Sequence, residues 1–410
     1  MSRERQTEAG LALSVSKHLW VVACGWVAWW LAAALAFGQD PFADPIRTFL
    51  DPNAPPELRE RALQQLLRSP PTEEKVTREL VRLAIKNDGT ASEELRVNAL
   101  RVLAEGGERA KPAVEPLLAI LKQPPGLDSP RIRQWCIYTL GKIGPEAKAA
   151  FPTLLEIARD ATNQHTIDTR MQAIAALGRL GRAAEKAVPF LLDLAKDRNP
   201  GGYPEALRSE AVWALGMMGS PAKPALPELL DLARNRNPGG FPESVQLRAV
   251  EALGRLGSLD LDQTLPVLLD LALNRNPGGY SNTLRGEALL ALGSLDAAGS
   301  KTTMPILNDL ILDRNPGGFD LDLRAKAVEA LGRMKVSGQP TGKFLLQLAE
   351  GSTMPAYPEP MRVAAVKALA GLGGHEKELR RLADDQAGLF PPAVRQAALE
   401  IVGLPPGPKY

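Results

Sequence analysis

The amino-acid sequence predicts an all-α fold, an α-solenoid of about ten helix pairs that recur with a sequence period of 37–39. Three observations lead to this prediction. An Ala-Leu-Gly triplet returns at a nearly constant interval, the apolar residues before it follow helical spacing, and the composition favours helices. Hydrophobic residues make up 45% of the chain but aromatic residues only 5%, a balance typical of helices packed through aliphatic side chains.

The period is measured from the last residue of each triplet or its cognate, which we call the repeat mark. The intervals between the numbers of successive marks are 37, 37, 37, 38, 38, 39, 39, 38 and 33. A period of this length is typical of stacked helical units. The marks are Leu67, Ala104, Gly141, Gly178, Gly216, Gly254, Gly293, Gly332, Ala370 and Gly403.

An amphipathic helix leads up to each mark. The fifth residue before the mark is Ala in nine repeats and Cys136 in the tenth, and the fourth is always Leu, Ile or Val. The eighth is Arg in nine repeats, with Gln246 as the exception. These offsets follow an i, i+3, i+4, i+7 pattern, which predicts one buried face. Because Gly accepts a left-handed backbone, we expect a Gly at the mark to end this helix.

Another helix precedes it in most repeats, as in "FPTLLEIA", "VPFLLDLA", "LPELLDLA" and "LPVLLDLA". A proline recurs near its beginning, where it either occupies the first turn or bends the helix. Each pair leaves an apolar face uncovered, so stacking the pairs buries a continuous core. The prolines are Pro152, Pro189, Pro227, Pro266 and Pro305.

This repeat resembles the HEAT repeat family, in the form also found in repeat proteins of the phycobilin lyase type. The matching features are Pro and "LLxLA" on the first helix, then Arg, then "AVEALGRLG" on the second. The resemblance covers residues 57 to about 404 and implies a scaffold or binding surface. It also implies that an acidic or amide residue between the helices bonds to the Arg of the next helix. The candidates are Asp160, Asp197, Asn235, Asn274 and Asp313.

The segment 1–38 predicts a signal peptide. Residues 19–37 carry no charge and follow basic residues, and small residues precede a cleavage point before Gln39. The alternative is an uncleaved anchor, because the length of this apolar segment approaches the ~20 residues that span a bilayer. We therefore expect an exported protein, periplasmic or secreted. It would contact the membrane only through residues 19–38, and only if the segment is not cleaved.

The remaining chain divides into an N-terminal linker at 39–56, the repeats at 57–404 and a Pro/Gly tail at 405–410. Removing the three basic and two acidic residues of segment 1–38 leaves 46 Lys plus Arg against 45 Asp plus Glu. A net charge near zero gives no electrostatic reason to expect a nucleic-acid partner. Only Cys136 remains, so no disulfide framework is predicted.

The sequence predicts no catalytic residue, no metal site and no cofactor. The chain has only three His, of which His18 lies in the signal segment and His165 and His375 are isolated. Zinc and di-iron sites need several clustered ligands. Cys136 occupies the Ala position of the buried stripe, where a packed thiol is expected instead of a nucleophile. A lyase-type or other enzyme built on the same array is the alternative.

A Gly-rich loop recurs between the two helices, as "RNPGGY" or "RNPGGF" beginning at 198, 236, 275 and 314. Asn-Pro-Gly-Gly suits a type II turn without any phosphate ligand. The ring recurs at the thirteenth position before the mark in seven consecutive repeats. It either packs the loop onto the next helix or forms, with the loop Arg, a ladder that grips a glycan or peptide. The ladder candidates are Arg198, Tyr203, Arg236, Phe241, Arg275, Tyr280, Arg314 and Phe319.

The second helices also carry an outer stripe, formed by the third and sixth residues before the mark and the first after it. Two repeats place Glu251 with Arg255 and Glu329 with Arg333 there, at the i,i+4 spacing of a solvated face. Three other repeats place aromatic residues there, which predicts a site for a protein or peptide partner. The alternative is that curvature buries both Trp. The predicted site comprises Trp135, Tyr138, Lys142, Gln172, Arg179, Trp213 and Met217. The resulting functional prediction is a noncatalytic scaffold or binding module.

Overall fold

The structure is a computed structural model, and it describes residues 44–403 with short gaps. Within these described ranges every regular element is a helix, so the all-α prediction is confirmed. The residues left undescribed are 1–43, 52, 88, 125, 161, 163, 198–201, 235–240, 275–278, 296, 313–317, 335–338, 352–356, 386 and 404–410.

The described residues form twenty α-helices, which alternate as the first and second members of ten pairs. The first helices are α1 (Pro45–Leu50), α3 (Glu74–Ile85), α5 (Val114–Lys122), α7 (Phe151–Arg159), α9 (Val188–Lys196), α11 (Leu226–Arg234), α13 (Leu261–Leu273), α15 (Ala297–Leu312), α17 (Gln339–Glu350) and α19 (Glu376–Ala383). The second helices are α2 (Pro56–Arg68), α4 (Glu93–Glu105), α6 (Pro130–Ile143), α8 (Ile167–Leu180), α10 (Glu205–Met218), α12 (Glu243–Leu256), α14 (Asn282–Ser294), α16 (Leu321–Arg333), α18 (Glu359–Leu372) and α20 (Pro392–Val402).

The chain divides into two compact units between Ile143 and Gly144. The first unit contains α1 to α6 and the second contains α7 to α20. In each unit the two helices of a pair pack on each other, and successive second helices pack side by side. The core between the layers consists mainly of Leu, Ile, Val and Ala side chains. Each unit is therefore an α-solenoid of stacked helix pairs.

The expectation that Gly at the mark ends the second helix is wrong for most repeats. Gly178 lies inside α8, and a Cβ built on it would lie 2.7 Å from Cα of Ala214 on the next second helix. At Gly332 the corresponding distance to Cα of Ala368 is 2.5 Å. Real Cβ atoms do not approach backbone this closely, so Gly is needed for helix contact. The same contact joins Gly216 to Ala252, Gly254 to Ala291 and Gly293 to Ala330.

The second helices end shortly after the mark, in several repeats at another Gly. Gly181 (φ 57°) follows α8, and Gly219 (φ 70°) follows α10. At Gly403, by contrast, the mark itself takes the left-handed conformation and ends α20. A 3₁₀ segment such as Gly181–Ala187 then leads into the next first helix. The sequence therefore contains two kinds of Gly, one for packing and one for chain reversal.

The recurrent prolines take both of the expected positions. Pro152 and Pro189 occupy the first turns of α7 and α9, where the missing N–H leaves no bond unmade. Pro266 and Pro305 instead lie inside α13 and α15, because these helices begin earlier. These two first helices therefore have additional residues before the recurrent proline.

Residues near the N-terminus extend the stack. The predicted linker at 39–56 includes α1, in which Phe49 is buried, and α1 packs on α2. The predicted signal peptide or anchor at 1–38 and the tail at 405–410 lie outside the described residues. Of the helices that are described, none combines the length and the apolar character needed to cross a bilayer.

Candidate functional site

The Arg at the eighth position before the mark holds the two helices of its own pair together. Arg96 Nε donates to the carbonyl oxygen of Ala84 at 3.0 Å, in the last turn of the preceding first helix. Arg170 and Arg362 donate in the same way to Ala158 and Ala349. The last carbonyls of a helix have no partner within the helix, so these bonds satisfy groups that would otherwise be buried unpaired. This recurrent Arg is a structural residue.

The recurrent rings pack against this same Arg, across the boundary between repeats. The guanidinium carbon of Arg208 lies 5.5 Å from the ring centroid of Phe241, and Arg285 lies 5.4 Å from that of Phe319. The Arg170 guanidinium likewise lies 5.8 Å from the Tyr203 ring. These contacts favour the packing alternative for the ring. Arg198, Arg236, Arg275 and Arg314 lie outside the described residues, so the loop-edge ladder stays a prediction.

Two repeats depart from this pattern and compensate for it. Asp128 occupies the ring position next to Arg96, and its Oδ1 accepts from Arg96 Nη2 at 2.7 Å in a buried ion pair. Where Gln246 replaces the Arg, the Tyr280 hydroxyl donates to the Arg234 carbonyl oxygen at 3.4 Å. That carbonyl is the one an Arg at 246 would be expected to cap. The contact between repeats is therefore kept when its chemistry changes.

The bond from the inter-helix acid to the next Arg does not form at Asp160. Its carboxylate accepts instead from the backbone N–H groups of Thr162 and His165. Asp197 also accepts from a loop N–H, that of Tyr203. Asn235 and Asp313 lie outside the described residues. The acidic residue therefore accepts hydrogen bonds from backbone N–H groups of its own loop. The recurrent Arg instead donates to a carbonyl at the end of the first helix, as Arg170 does.

The predicted partner site is divided between the two units. Trp135, Tyr138 and Lys142 lie on α6 in the first unit. The Trp135 and Tyr138 rings meet edge to face with centroids 5.3 Å apart, and the Lys142 ammonium lies 5.9 Å from the Tyr138 ring centroid. Both aromatic residues are partly buried and Lys142 is exposed. Three of the predicted residues therefore form one aromatic and cationic cluster on α6.

The other four predicted residues lie in the second unit. The Arg179 guanidinium stands 5.1 Å from the Trp213 ring, and Arg255 donates to the Met217 sulfur. Gln172 is partly buried, and its side-chain oxygen accepts no hydrogen bond from any described residue. These contacts join α8, α10 and α12 on one face. We call the outer stripe of α8 to α18 the outer face of the second unit.

The glutamates and arginines that stand at i,i+4 spacing on this face form ion pairs. Glu251 pairs with Arg255 at 2.8 Å and also with Arg248 at 2.7 Å. Burial acts to raise the pKa of Glu251, but the hydrogen bonds and positive charges of these two guanidinium groups together outweigh it and leave the pKa lowered. Glu329 has a lowered pKa for the same reasons, between Lys326 and Arg333. Each carboxylate is therefore shared by two cations.

Two further glutamates on this face were not predicted as site residues. Glu210 and Glu287 occupy the sixth position before their marks, on α10 and α14, and are partly buried. Burial is the largest cause and raises the pKa of both carboxyl groups, and the nearby Glu251 carboxylate adds to the effect at each. Nearby cations oppose it without reversing it, Arg248 and Arg179 at Glu210 and Arg333 and Lys326 at Glu287. Neither is within ion-pair distance of a cation among the described residues. The repeat offsets could have located both glutamates, but their burial and the charges around them depend on neighbouring helices.

A groove crosses the outer face over α14, α16 and α18. Its volume is about 630 Å³. Small residues on successive helices, among them Gly286, Ala325 and Ala364, leave its floor low, and Glu287 lines it. Pro360 and Val363 add apolar surface. Lys326 and Lys367 line it as well. The groove therefore combines apolar floor area with charged side chains, one of which, Glu287, has no ion pair among the described residues, and such a surface can bind a chain segment.

Two glutamates of this face should respond oppositely to neutralisation. At about pH 7 we expect Glu287→Gln to raise the melting temperature, because the raised pKa means that ionised Glu287 destabilises the folded state as pH rises. Glu329→Gln should lower the melting temperature, because a lowered pKa stabilises the fold above the ordinary glutamate pKa. Each effect should stay below about 1 kcal/mol and fade on acidification. Thermal melts from acid to neutral pH would test this; equal signs would contradict it.

No group of three or more His, Cys, Asp or Glu suited to a metal occurs among the residues that the structure covers. Cys136 is fully buried, and burial raises the pKa of its thiol to about 12. A thiol held protonated is a poor nucleophile.

We expect iodoacetamide to leave Cys136 unmodified in the native chain, because its thiol is buried and protonated, and to alkylate it fully after denaturation. Peptide mapping of the two samples measures this. Rapid alkylation of the native thiol would contradict the prediction.

The helix pairs and their outer face define a repeat solenoid, a class of protein that presents extended surfaces. A family model described as HEAT repeats matches residues 152–240. The fold of this chain is therefore HEAT-like, as the resemblance implied, and such a fold is typical of protein-binding scaffolds.

This chain is similar to several solved structures at low identity. Kap121p is 15% identical with a TM-score of 0.45, over 87% of this chain and 44% of that chain. The Kap95:Nup1 complex matches at 14% identity and a TM-score of 0.46, over 97% of this chain and 56% of that one. The complex of CpcE and CpcF of phycocyanin lyase from Nostoc sp. PCC7120 is 22% identical, with a TM-score of 0.36, over 71% and 93%. This chain spans less than two thirds of the Kap121p and Kap95 chains, and it matches no curated protein.

Proposed function

We propose that this protein is a noncatalytic, exported scaffold that binds a protein partner on the outer face of its second unit. The observation that carries the proposal is the groove over α14, α16 and α18, in which apolar floor area meets Glu287, a residue with no ion pair in the described part of the chain. A bound partner can place apolar side chains on this floor and a hydrogen-bond donor at the Glu287 carboxylate. Solved neighbours include the Kap95:Nup1 complex and a designed armadillo repeat protein in complex with the peptide (KR)4.

The proposal that the protein is noncatalytic is supported by the contacts and protonation of its thiol and of the cations on the outer face. The Cys136 thiol is buried and protonated, and Arg248, Arg255, Lys326 and Arg333 on the outer face are engaged in ion pairs. General acid–base or nucleophilic catalysis needs groups with poised pKa values next to a reacting centre. The described residues offer a surface for contact instead.

Crosslinking from the groove tests partner binding. A photoreactive amino acid placed at Thr283 or Lys367, both exposed in the groove, should crosslink one discrete protein in the native host. The control positions are Lys148 and Lys223, which are exposed on 3₁₀ segments of the same unit. Equal yields from the control positions, or no crosslink from the groove, would refute the proposed site.

Export is supported by the uncharged segment 19–37 and the small residues at its end. N-terminal sequencing of the chain recovered from the envelope fraction should begin at Gln39. If the recovered chain begins at Met1, the segment is not cleaved, and the anchored alternative is favoured.

A further inference from the structure

The second helices of the first unit carry an excess of positive charge on their outer stripe. On α2, α4 and α6 the third and sixth residues before the mark and the first after it include four cations and one carboxylate. We call these nine residues the basic stripe. They are Arg61, Gln64, Arg68, Asn98, Arg101, Glu105, Trp135, Tyr138 and Lys142.

The cations of the basic stripe have no acidic partner. None of the four forms an ion pair with any carboxylate that the structure describes. On the outer face of the second unit, by contrast, four of the six cations pair with Glu251 or Glu329. Arg101 donates to a neutral side-chain amide at 3.0 Å, and Lys142 lies 5.9 Å from the Tyr138 ring centroid. Neither contact neutralises the charge.

Other carboxylates of these three helices lie nearer the N-terminal ends. Glu57 stands in the first turn of α2, and Glu94, in the first turn of α4, is engaged by Arg131 at 2.6 Å. Glu60 accepts from the Gln64 amide at 2.8 Å. The unpaired positive charge is therefore concentrated in the C-terminal halves of the helices, where Glu105 is the one carboxylate of the stripe.

Two aromatic side chains lie beside the cations on α6. Trp135 and Tyr138 meet edge to face with their ring centroids 5.3 Å apart, and both are partly buried. Trp, Tyr and Arg are the residue types that contribute most to protein interfaces. The stripe therefore combines positive charge with the residues expected of a protein-binding surface.

A lipid surface and a nucleic acid fit this stripe less well. Binding to a lipid surface inserts large apolar side chains, and those exposed among the described residues of the first unit, Ile85 and Leu127, lie outside the stripe. A nucleic acid is attracted by a strong positive field, whereas the whole chain has a net charge of only +2. Guanidinium groups bind carboxylates through paired hydrogen bonds, so an acidic protein segment remains the best match.

The packing of the helices sets the spacing of the acidic groups. Packed helices lie about 8–10 Å apart, and an extended chain advances about 3.3 Å per residue. A segment lying across α2, α4 and α6 therefore passes from one helix to the next in about three residues. Arg68, Arg101 and Lys142 provide one cation on each of these helices.

We infer that the basic stripe binds an extended acidic segment of a protein, with Asp or Glu side chains about three residues apart. Arg68, Arg101 and Lys142 each bind one carboxylate, and Trp135 and Tyr138 contact the segment beside Lys142. This binding goes beyond the proposed function, because it concerns the first unit and is independent of binding in the groove.

Peptide binding to the full chain provides the test. The probe is a fluorescein-labelled peptide of Ser, Ala and Gly with three Glu, one at every third position. One comparison peptide has Gln in place of each Glu, and another has the three Glu in succession. By fluorescence anisotropy at low salt, the spaced Glu peptide should bind at least about tenfold more tightly than the Gln peptide. The peptide with successive Glu should fall between them, and added salt should weaken both acidic peptides.

Protein variants locate the bound peptide. Arg101→Gln should weaken binding of the spaced Glu peptide about fivefold, and Arg101→Lys should restore most of it, because the charge is kept. Glu105→Gln, one helical turn away on α4, should tighten binding about twofold, because it removes a carboxylate that repels the peptide. Opposite effects from neighbouring residues of one helix cannot be attributed to unfolding.

A matched pair of double variants controls for net charge. Arg101→Gln with Lys142→Gln removes two cations of the stripe and should abolish binding. Arg82→Gln with Lys122→Gln removes two exposed cations from the first helices of the same unit and should bind nearly as the parent does. Cations near helix C-termini also stabilise those helices, so thermal melts should confirm that each variant is folded at the assay temperature.

Several outcomes would overturn the inference. These are equal affinity for the Glu and Gln peptides, equal weakening by the two double variants, and weaker binding by Glu105→Gln. Equal affinity for spaced and successive Glu would overturn the extended geometry. Phosphatidylglycerol vesicles or single-stranded oligothymidylate might compete for the same residues. If either binds more tightly than the spaced Glu peptide and is lost in Arg101→Gln with Lys142→Gln, the stripe serves that ligand and not an acidic protein segment.

Discussion

Replacing Gly293 with Ala should lower the free energy of unfolding by about 2 to 3 kcal/mol, the upper part of the range for overpacked helix contacts. A Cβ built on Gly293 would lie 2.3 Å from the carbonyl oxygen of Ala330 and 2.8 Å from its Cα. Both obstructing atoms belong to backbone, so no side-chain rotation relieves the contact. The helices α14 and α16 would have to separate, and the tightly packed layer of second helices would open there.

The same helix supplies a control for this substitution. Gly286 also lies inside α14, but a Cβ there would meet its nearest atom, Lys326 Cγ, at an ordinary 3.5 Å. Gly286→Ala should therefore stabilise the chain by about 0.5 to 1 kcal/mol through helix propensity. Ala330→Gly should not rescue Gly293→Ala, because the obstructing oxygen remains. Thermal and urea unfolding of these variants decides the matter, and similar midpoints for the two alanine variants would refute the packing role of Gly293.

The fold could be predicted because one period governs the whole chain. The stripe of Ala and Leu before each mark specifies a helix with one buried face, and the structure has that helix in all ten described pairs. The role of the Gly was misjudged because a packing Gly and a terminating Gly look alike in sequence. Gly178 and Gly181 differ only in what surrounds them: Ala214 faces one, and an open chain reversal follows the other.

The partner of the recurrent ring was missed because it belongs to another repeat. The numbers of Arg170 and Tyr203 differ by 33, as do those of Arg208 and Phe241. A constant offset of nearly one period between two recurrent residue types is a signal that could have revealed the contact. On the outer face, the pairing of Glu251 with Arg255 followed from helix geometry. That Glu287 has no ion pair within the described ranges depends on the positions of neighbouring helices, which a pattern along one helix does not give.

Replacing Asp128 with Ala should destabilise the first unit by about 3 to 5 kcal/mol, as expected when one partner of a buried ion pair is removed. The side chains of Arg96 and Asp128 are only 6% and 3% exposed. Arg96 would keep its bonds to the Ala84 carbonyl and the Asn87 side chain but would lose its counter-charge. Hydrogen exchange along α4 and α6 in the intact chain measures the loss. A matched control is Glu94→Ala, which breaks the exposed Glu94–Arg131 pair between the same two helices and should change little.

Asp128→Phe distinguishes a lost contact from a lost charge. Other repeats hold a ring at this position, and Phe241 stacks on Arg208 in the way that a Phe at 128 would meet Arg96. A desolvated cation–π contact contributes about 2 kcal/mol, so this variant should retain about 1 to 2 kcal/mol more stability than Asp128→Ala. The ring and the carboxylate would then be interchangeable means of joining consecutive repeats. If Asp128→Phe exchanges as fast as Asp128→Ala while Glu94→Ala remains protected, the ring position depends on charge alone in the first unit.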